Sequence, residues 1–445
     1  MRQLLIVGGG YAGFYTARGL QRRLRPGEAR VTVVDPRPYM TYQPFLPEVA
    51  AGSVEARHAV VPLRRHLRRT RIVAGSVTRI DHARRAAEVT TADGARWEEH
   101  YDELVVTAGA VTRTFAVPGL SEHAIGMKQI EEAVAIRDGV ITGFHRAAAL
   151  PPGPLRRKLL TVTFVGGGFS GIEGFGETLS LAAALVGHHP GIHPEEVSFH
   201  LVEATERILP EVGARHGRWV VQHLRDRGGH VHLGTQVVSA VEGHVVLSDG
   251  QEFDSGLVVW TAGNAANPVI ATHTDLPLDA RGFVTVRPDL RVVDGDRVVP
   301  HAWAAGDDAA VPDLAVGTSG ARTIPNAQHA VRQGRLLARN LVTVLRGGEP
   351  RAYVHASLGV VATLGIGQGV FQWHRVVVRG PLAWAMHRGY HLLAVPTWER
   401  KARVALDWIG ALLGARDTAS LADVVHPRAA FLAGGRPTTH DERAA

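Results

Sequence analysis

The sequence predicts an α/β fold built as two doubly wound, parallel-sheet halves, and three observations predict it. A glycine turn, Gly8-Gly9-Gly10-Tyr11-Ala12-Gly13, follows the short apolar strand Leu4-Leu5-Ile6-Val7. A second, Gly166-Gly167-Gly168-Phe169-Ser170-Gly171, follows Val162-Thr163-Phe164-Val165. Each is succeeded by a strand ending in an acid, Asp35 or Glu203, and then by an apolar strand closing on Thr-Ala-Gly at 107–109 or 261–263. The order and approximate spacing repeat, so the chain contains a diverged internal duplication. Strands alternating with helices in this way pair in parallel.

A length of 445 residues exceeds one hydrophobic core, so two or three domains are expected. With 45% hydrophobic and 20% charged residues, the composition is that of a globular protein. The formal charge is +7, and among the 49 basic residues only Lys128, Lys158 and Lys401 are lysines. No basic stripe with interleaved aromatics is visible, so no nucleic-acid partner is expected. The absence of cysteine removes disulfides, thiolate catalysis and cysteine-ligated metals, and no metal site is expected. The first apolar run is too short for a signal peptide, and no stretch of about 18 apolar residues exists to span a bilayer. The expected location is the cytoplasm.

Leu150-Pro151-Pro152-Gly153-Pro154 marks a linker into the second half. Residues 288–345 resume a strand, a Gly-Asp turn and a helix, which return the chain to the first half. The expected domains are therefore 1–115 with 285–345, an inserted 116–284, a C-terminal module over 346–415 and a tail over 416–445. The tail is expected to fray from Gly434.

The glycine turns carry the chemistry. Gly8 allows the tight turn, Gly10 lets backbone approach a pyrophosphate, and Gly13 permits close helix–strand packing. The helix that follows offers free N–H groups and a positive dipole end. Asp35 is placed to accept hydrogen bonds from ribose hydroxyls. Gly166, Gly168 and Gly171 repeat this logic, with Glu203 as the ribose acid. A carboxylate there repels a 2′-phosphate and favours NADH over NADPH. Ala304-Ala305-Gly306-Asp307 is an ordinary turn by itself; downstream of two nucleotide motifs it places Asp307 against the ribityl chain or phosphate of a flavin.

At this point the residues resemble the two-dinucleotide-binding flavoprotein superfamily, and within it the type II NADH dehydrogenases, which are non-pumping NADH:quinone oxidoreductases. The likeness is carried by Tyr42-Gln43-Pro44-Phe45-Leu46-Pro47-Glu48-Val49-Ala50, by Gly171-Ile172-Glu173 with Glu177, by Trp260-Thr261-Ala262-Gly263, by Ala305-Gly306-Asp307, and most specifically by Ala327-Gln328-His329-Ala330-Val331-Arg332-Gln333-Gly334. The resemblance implies FAD at the first motif, held by Gly8, Gly10, Tyr11, Ala12, Gly13, Asp35, Pro44, Ala108, Gly109, Gly306, Asp307 and Ala327. It implies NADH, as substrate, at the second, held by Gly166, Gly168, Phe169, Ser170, Gly171, Glu203, Ala262 and Gly263. Glu173 would sit near the flavin ring and support packing or proton delivery. Gln328, with Ala327, would line a quinone pocket. One departure is Glu173-Gly174-Phe175-Gly176, where the family more often has Leu-Ala-Gly after the glutamate. Two glycines there weaken a helix and put its packing in question. Sulfur-handling relatives are excluded, because they need thiols.

Residues 382–413 read as two helices broken at Pro396. The second carries Val404, Ala405, Trp408, Ile409 and Leu412 on one face, with Arg400, Lys401 and Asp407 largely opposite. Between residues 375 and 417 basic residues outnumber acids seven to three. With Trp384, Trp398 and Trp408 this fits a helix lying on an anionic bilayer, or one packed on its own core or on a twin subunit to form a homodimer. The family resemblance implies peripheral attachment to the inner face of the cell membrane. The expected activity is electron transfer from NADH through FAD to a membrane quinone without proton pumping. The rivals are a flavin reductase with a soluble acceptor and a flavin-binding redox sensor. Most of the 24 histidines read as solvated, with His329 and His387 marked as groups able to take up protons.

Overall fold

The computed structural model describes residues 1–316, 318, 320–356, 359–413 and 416–433; the segment expected to fray, from Gly434, lies outside them. Both parallel sheets are present, and they share one plan. The first runs Arg291–Asp294, Arg297–Ala304, Glu103–Val106, Arg2–Val7, Ala29–Asp35, Thr70–Ala74, parallel throughout except for the antiparallel edge strand Arg291–Asp294. The second runs Ala124–Ile125, Leu257–Trp260, Thr161–Val165, Ser198–Glu203, Gly229–Leu233, all parallel. In each sheet the glycine-turn strand lies between the strand leading to Thr-Ala-Gly and the strand ending in the acid. Strands covered on both faces read as continuous apolar runs, and Glu103–Val106 and Thr161–Val165 are buried at every residue. The first sheet takes strands from both sides of the second, so the second is an insertion.

Behind the first glycine turn, helix Tyr11–Arg23 packs tightly on helix Ala327–Leu345. Glycine makes that approach possible: a methyl at Gly334 would sit 2.4 Å from the Ala12 carbonyl oxygen, and one at Gly19 would lie 2.5 Å from the Ala338 Cβ. Thr16 Oγ1 donates to Ala12 O at 2.7 Å and lies 3.2 Å from Gly334 O.

The helix after the second turn, Phe169–His188, is unbroken. Its glycines turn out to be packing devices. Gly174 abuts Met127 and Phe164, and Gly176 meets the backbone of Leu364. Phe175 is fully buried, edge-on to Phe164 and Phe199 under the second sheet. The two glycines expected to weaken this helix are therefore sites of close packing on either side of a buried Phe175.

The C-terminal module adds an antiparallel sheet, Val360–Thr363, Gly369–Trp373 and Val376–Arg379, before helices Pro381–Ala394 and Trp398–Leu413. The apolar face expected on the second helix is split. Val404 and Trp408 are buried inward, while Ile409 and Leu412 are exposed together with Leu406 and Leu413. Arg400, expected on the solvent side, is buried because its guanidinium donates to Arg57 O at 2.8 Å. Of the three tryptophans only Trp398 is widely exposed. Arg416, at the start of the expected tail, is buried and donates to Ala51 O, and Ser420 meets Thr142 at 3.0 Å. Among the described residues no helix is long and apolar enough to cross a membrane.

Candidate functional site

The two glycine turns are built on the same plan. Gly8 has φ +95° and Gly166 φ +111°, and a methyl on either would strike the Thr-Ala-Gly backbone. A methyl on Gly13 or Gly171 would lie 1.9 Å from the carbonyl oxygen of Gly8 or Gly166. Thr107 Oγ1 donates toward Val7 O at 2.9 Å, with Gly8 O at 3.0 Å; Thr261 Oγ1 does the same toward Val165 O at 2.9 Å, with Gly166 O at 3.3 Å. These threonines clamp each turn to its sheet, a role legible only once the two copies are overlaid.

The middle glycines face open space. Gly10 and Gly168 are exposed N-caps of the two helices, with no atom within 4 Å of where a side chain would begin. Neither cap is satisfied by a side chain, so backbone N–H groups remain for a bound phosphate. This is the cradle a pyrophosphate requires, and it occurs twice.

Asp35 and Glu203 sit at corresponding positions. Asp35 accepts from Gly9 N at 2.6 Å and Arg37 N at 2.7 Å. Glu203 accepts from Gly167 N at 2.6 Å and Thr205 N at 2.8 Å. Each carboxylate therefore braces its glycine turn with one oxygen and retains lone pairs for a ribose. Burial pushes Asp35 up, against the pull of the Gly9 amide.

The two Thr-Ala-Gly turns meet. Past Ala108 and Gly109, strand Ala110–Thr112 pairs antiparallel with Asn264–Ala266, the strand following Ala262 and Gly263. Asn267 donates to Ala108 O at 3.3 Å. Half-buried Lys128 spans the same junction, donating to Asn264 Oδ1 at 2.8 Å; burial lowers its pKa while Asp307 raises it.

Asp307 is half-buried, and burial raises its pKa. Its turn is held by Gln333, which accepts from Gly306 N at 2.8 Å and donates to Thr323. Gln333 belongs to the same helix as Ala327 and Gln328, both half-buried near its Asn326 N-cap. Ala12 lies beneath Gly306, and Tyr11 is edge-on to Tyr42 at 5.9 Å, its buried hydroxyl without a hydrogen-bond partner among the described residues. Pro44 lies in the adjoining 3₁₀ turn. Phe169 is half-buried and Ser170 exposed at the start of the second helix.

Glu173 is brought to the C-terminal module. Its Oε1 accepts from Thr363 N at 3.2 Å and lies 3.1 Å from His387 Nε2. Glu177 accepts from Thr363 Oγ1 at 2.7 Å and faces Arg416 at 3.6 Å. Glu48 faces Arg388 at 3.3 Å and accepts from Trp408. Burial lowers the His387 pKa, but Glu173, Glu48 and Glu177 together raise it above the usual imidazole value. Arg388 and Arg416 reach the same cluster from the C-terminal side, facing Glu48 and Glu177. His391 is edge-on to His387, ring centres 4.5 Å apart, and meets Tyr42 OH at 3.1 Å; burial drives its pKa well down. His329 instead meets Tyr353 OH at 2.8 Å, and burial lowers its pKa.

Asp308 escapes the sequence pattern. It is 0% exposed, neither carboxylate oxygen has a hydrogen-bond partner among the described residues, and burial pushes it up to about 7. A raised folded pKa contributes stability in full below the unfolded carboxylate range near pH 4, which declines as the pH rises until the folded group itself ionises. Thermal melts of the wild type should therefore fall between about pH 5 and 7.5, and Asp308→Asn should flatten that decline. An unchanged pH profile in the variant would contradict this.

These cradles, turns and acids fit two dinucleotides. Among known proteins, the chain is 28% identical to a type II NADH:quinone oxidoreductase of Mycobacterium tuberculosis, over 93% of this chain and 89% of that protein. It is also 28% identical to one of Staphylococcus aureus, over 83% and 89%. The fold is that of NDH2 from Plasmodium falciparum solved in complex with NADH, with TM-score 0.85, 16% identity, and 94% of this chain and 99% of that chain covered. A family model described as pyridine nucleotide-disulphide oxidoreductase matches residues 2–334. That span takes in both glycine turns, both ribose acids and the Gly306-Asp307 turn, while the chain lacks the cysteines of the family's disulphide-handling branch. With both nucleotide cradles inside the matched region, the chain belongs to the pyridine nucleotide-disulphide oxidoreductase family.

Proposed function

We propose that this protein is a FAD-dependent NADH:quinone oxidoreductase that passes electrons from NADH to a membrane quinone and pumps no protons. The observation that carries the reading is the pairing of Ala110–Thr112 with Asn264–Ala266, which ties together the turns at the ends of two equivalent nucleotide cradles. The names of the relatives in M. tuberculosis and S. aureus support quinone as acceptor. FAD in the first cradle supplies the two-electron chemistry between donor and acceptor.

The residues of the chain do the rest. Gly8, Gly10 and Gly13 with Asp35 hold the FAD pyrophosphate and adenosine ribose, and Asp307 holds the ribityl side. Gly166, Gly168 and Gly171 with Glu203 hold NADH. The threonine clamps fix both turns, so the two nucleotides approach on rigid backbone. His387 holds a proton at Nε2 beside Glu173, close to Tyr42 through His391. Gln328, with Ala327, lines the acceptor pocket. Exposed Leu406, Ile409, Leu412 and Leu413, with Trp398, face the bilayer and bring the protein to its lipid-soluble acceptor.

Steady-state assays with NADH test this. A short-chain quinone should be reduced far faster than oxygen. Gln328→Ala, which removes about one hydrogen bond, should raise the quinone KM about tenfold and leave ferricyanide reduction unchanged. Quinone reduction no faster than oxygen reduction, together with a silent Gln328→Ala, would remove the quinone assignment. Rapid ferredoxin or dye reduction would then favour the soluble-acceptor reading, and a flavin that nothing reoxidises would favour a sensor.

A further inference from the structure

Eight arginines and a lysine gather on the flank beside the break between the two C-terminal helices. They surround two neighbouring cavities. The first, about 480 Å³, is lined by Arg18, Arg22, Arg65, Arg68 and Arg69 with His66. The second, about 340 Å³, shares Arg18 and Arg22 and adds Arg23, Arg335, Arg339 and Lys401. No acid lines either cavity. At the rim Glu399 is already engaged, with Arg65 at 2.8 Å and Arg403 at 3.3 Å. The side chains of Arg22, Arg68 and Arg339 make no hydrogen bond or ion pair among the described residues. In sequence this cluster is invisible, because it is assembled from residues 18–23, 65–69, 335–339 and 401.

The gathering has a cost. Arg18 is half-buried, and desolvation, Arg22 and Arg335 all disfavour its charge; Arg23 is opposed in turn by burial, Arg339 and Arg22. His66 lines the first cavity, and burial with Arg18 and Arg65 lowers its pKa, so a further positive charge is disfavoured there as well. A multivalent oxyanion would relieve the repulsion among these cations. Guanidinium forks suit phosphate oxygens in particular.

The surroundings select among phosphates. The second cavity is walled by Leu393, Ala394, Val395 and Pro396, and Arg18 donates to Pro396 O at 3.0 Å. Within that wall Leu393 is 77% exposed, and Trp398, just beyond Pro396, is 85% exposed. Apolar side chains at the mouth of a phosphate-sized cationic cavity match a molecule with an anionic head and an acyl tail. We propose that this arginine cavity pair is a binding site for the phosphate headgroup of an anionic phospholipid, docking the C-terminal helices on the bilayer in one orientation. This rests on the membrane contact put forward above.

The experiment is co-sedimentation of full-length, FAD-loaded protein at physiological ionic strength. The probes are vesicles of phosphatidylcholine alone or with one part in five phosphatidylglycerol. Wild type should bind the anionic vesicles at least about 30-fold better, at roughly one cation's contribution for each of two or more phosphate-facing arginines. Arg22→Gln with Arg68→Gln removes two exposed cations that make no contacts, so the fold and ferricyanide activity should persist. Partitioning to anionic vesicles should then fall by about 30-fold, at roughly one cation's contribution each. Binding to neutral vesicles should not change. Arg96→Gln with Arg297→Gln, exposed arginines outside both cavities, controls for overall charge. Equal binding of wild type to both vesicle types would overturn the headgroup site and leave the membrane reading standing. Binding to neither would remove the membrane reading as well. A control pair that loses as much as the cavity pair would also overturn the site. So would inorganic phosphate raising the melting temperature of wild type, but not of the cavity variant, in the absence of any phosphatidylglycerol preference; that result would assign the cavity to a soluble anion.

Discussion

Gly10→Asp is expected to give a colourless protein, and Gly168→Asp a yellow one that needs about a hundredfold more NADH to bleach it. Both glycines are exposed, with φ −66° and −74°, a backbone that any residue adopts. Both are helix N-caps, where aspartate is among the favoured residues, so neither helix should suffer. A side chain there meets open space. What changes is the charge facing the ligand: a carboxylate replaces the gap into which a pyrophosphate must fit. Like charges brought together at a binding site cost several kcal/mol, and about 3 kcal/mol is already more than a hundredfold in affinity. In Gly10→Asp the loss falls on FAD, so visible absorbance after purification should vanish. In Gly168→Asp the flavin spectrum should remain while the NADH KM rises by roughly two orders of magnitude. The reverse outcome, colour lost in Gly168→Asp and kept in Gly10→Asp, would exchange the assignments of the two cradles.

The glycine turns were legible because their chemistry is local. Turn, helix cap and strand-end acid fall within about forty residues of one another, and the duplication repeats them. The Thr107 and Thr261 clamps were present in the same motif, but nothing in one copy says that a threonine hydroxyl folds back onto its neighbour strand. The cluster around Glu48 was illegible for a different reason. Arg388 and Trp408 lie more than 300 residues from Glu48 in the chain, and a charged residue in an amphipathic pattern reads as solvated. Helix Trp398–Leu413 shows the limit of periodicity most clearly. One apolar stripe was read where the fold uses two, with Val404 and Trp408 turned inward and Leu406 and Leu413 outward. A hydrophobic pattern records that a side chain avoids water, and does not say whether protein or lipid covers it.

Arg388→Met should be the most destabilising single change outside the glycine turns. Arg388 is buried between Trp384 and Trp408, its guanidinium 4.3 and 4.9 Å from their ring centres, and it faces Glu48. Glu48 is itself buried, and burial already raises its pKa, with Arg388 the largest influence holding it down. Breaking a buried pair by removing one member typically costs about 3–5 kcal/mol, because the remaining charge is left without compensation. Glu48 escapes that cost only by taking a proton. Its folded pKa then lies further above the unfolded value, so the stability that protonation recovers is present at low pH and is lost as the pH rises through the folded pKa. The melting temperature of Arg388→Met should accordingly fall much more at pH 8 than at pH 5.5. Adding Glu48→Gln removes the orphaned charge and keeps an acceptor for Trp408. The double variant should recover most of the loss and the pH dependence should disappear, because a buried ion pair can often be replaced by uncharged residues at little cost. If the double variant melts no higher than Arg388→Met at pH 8, the arginine matters through its packing between the tryptophans, and the charge balance of the cluster is not what holds the C-terminal helices to the body.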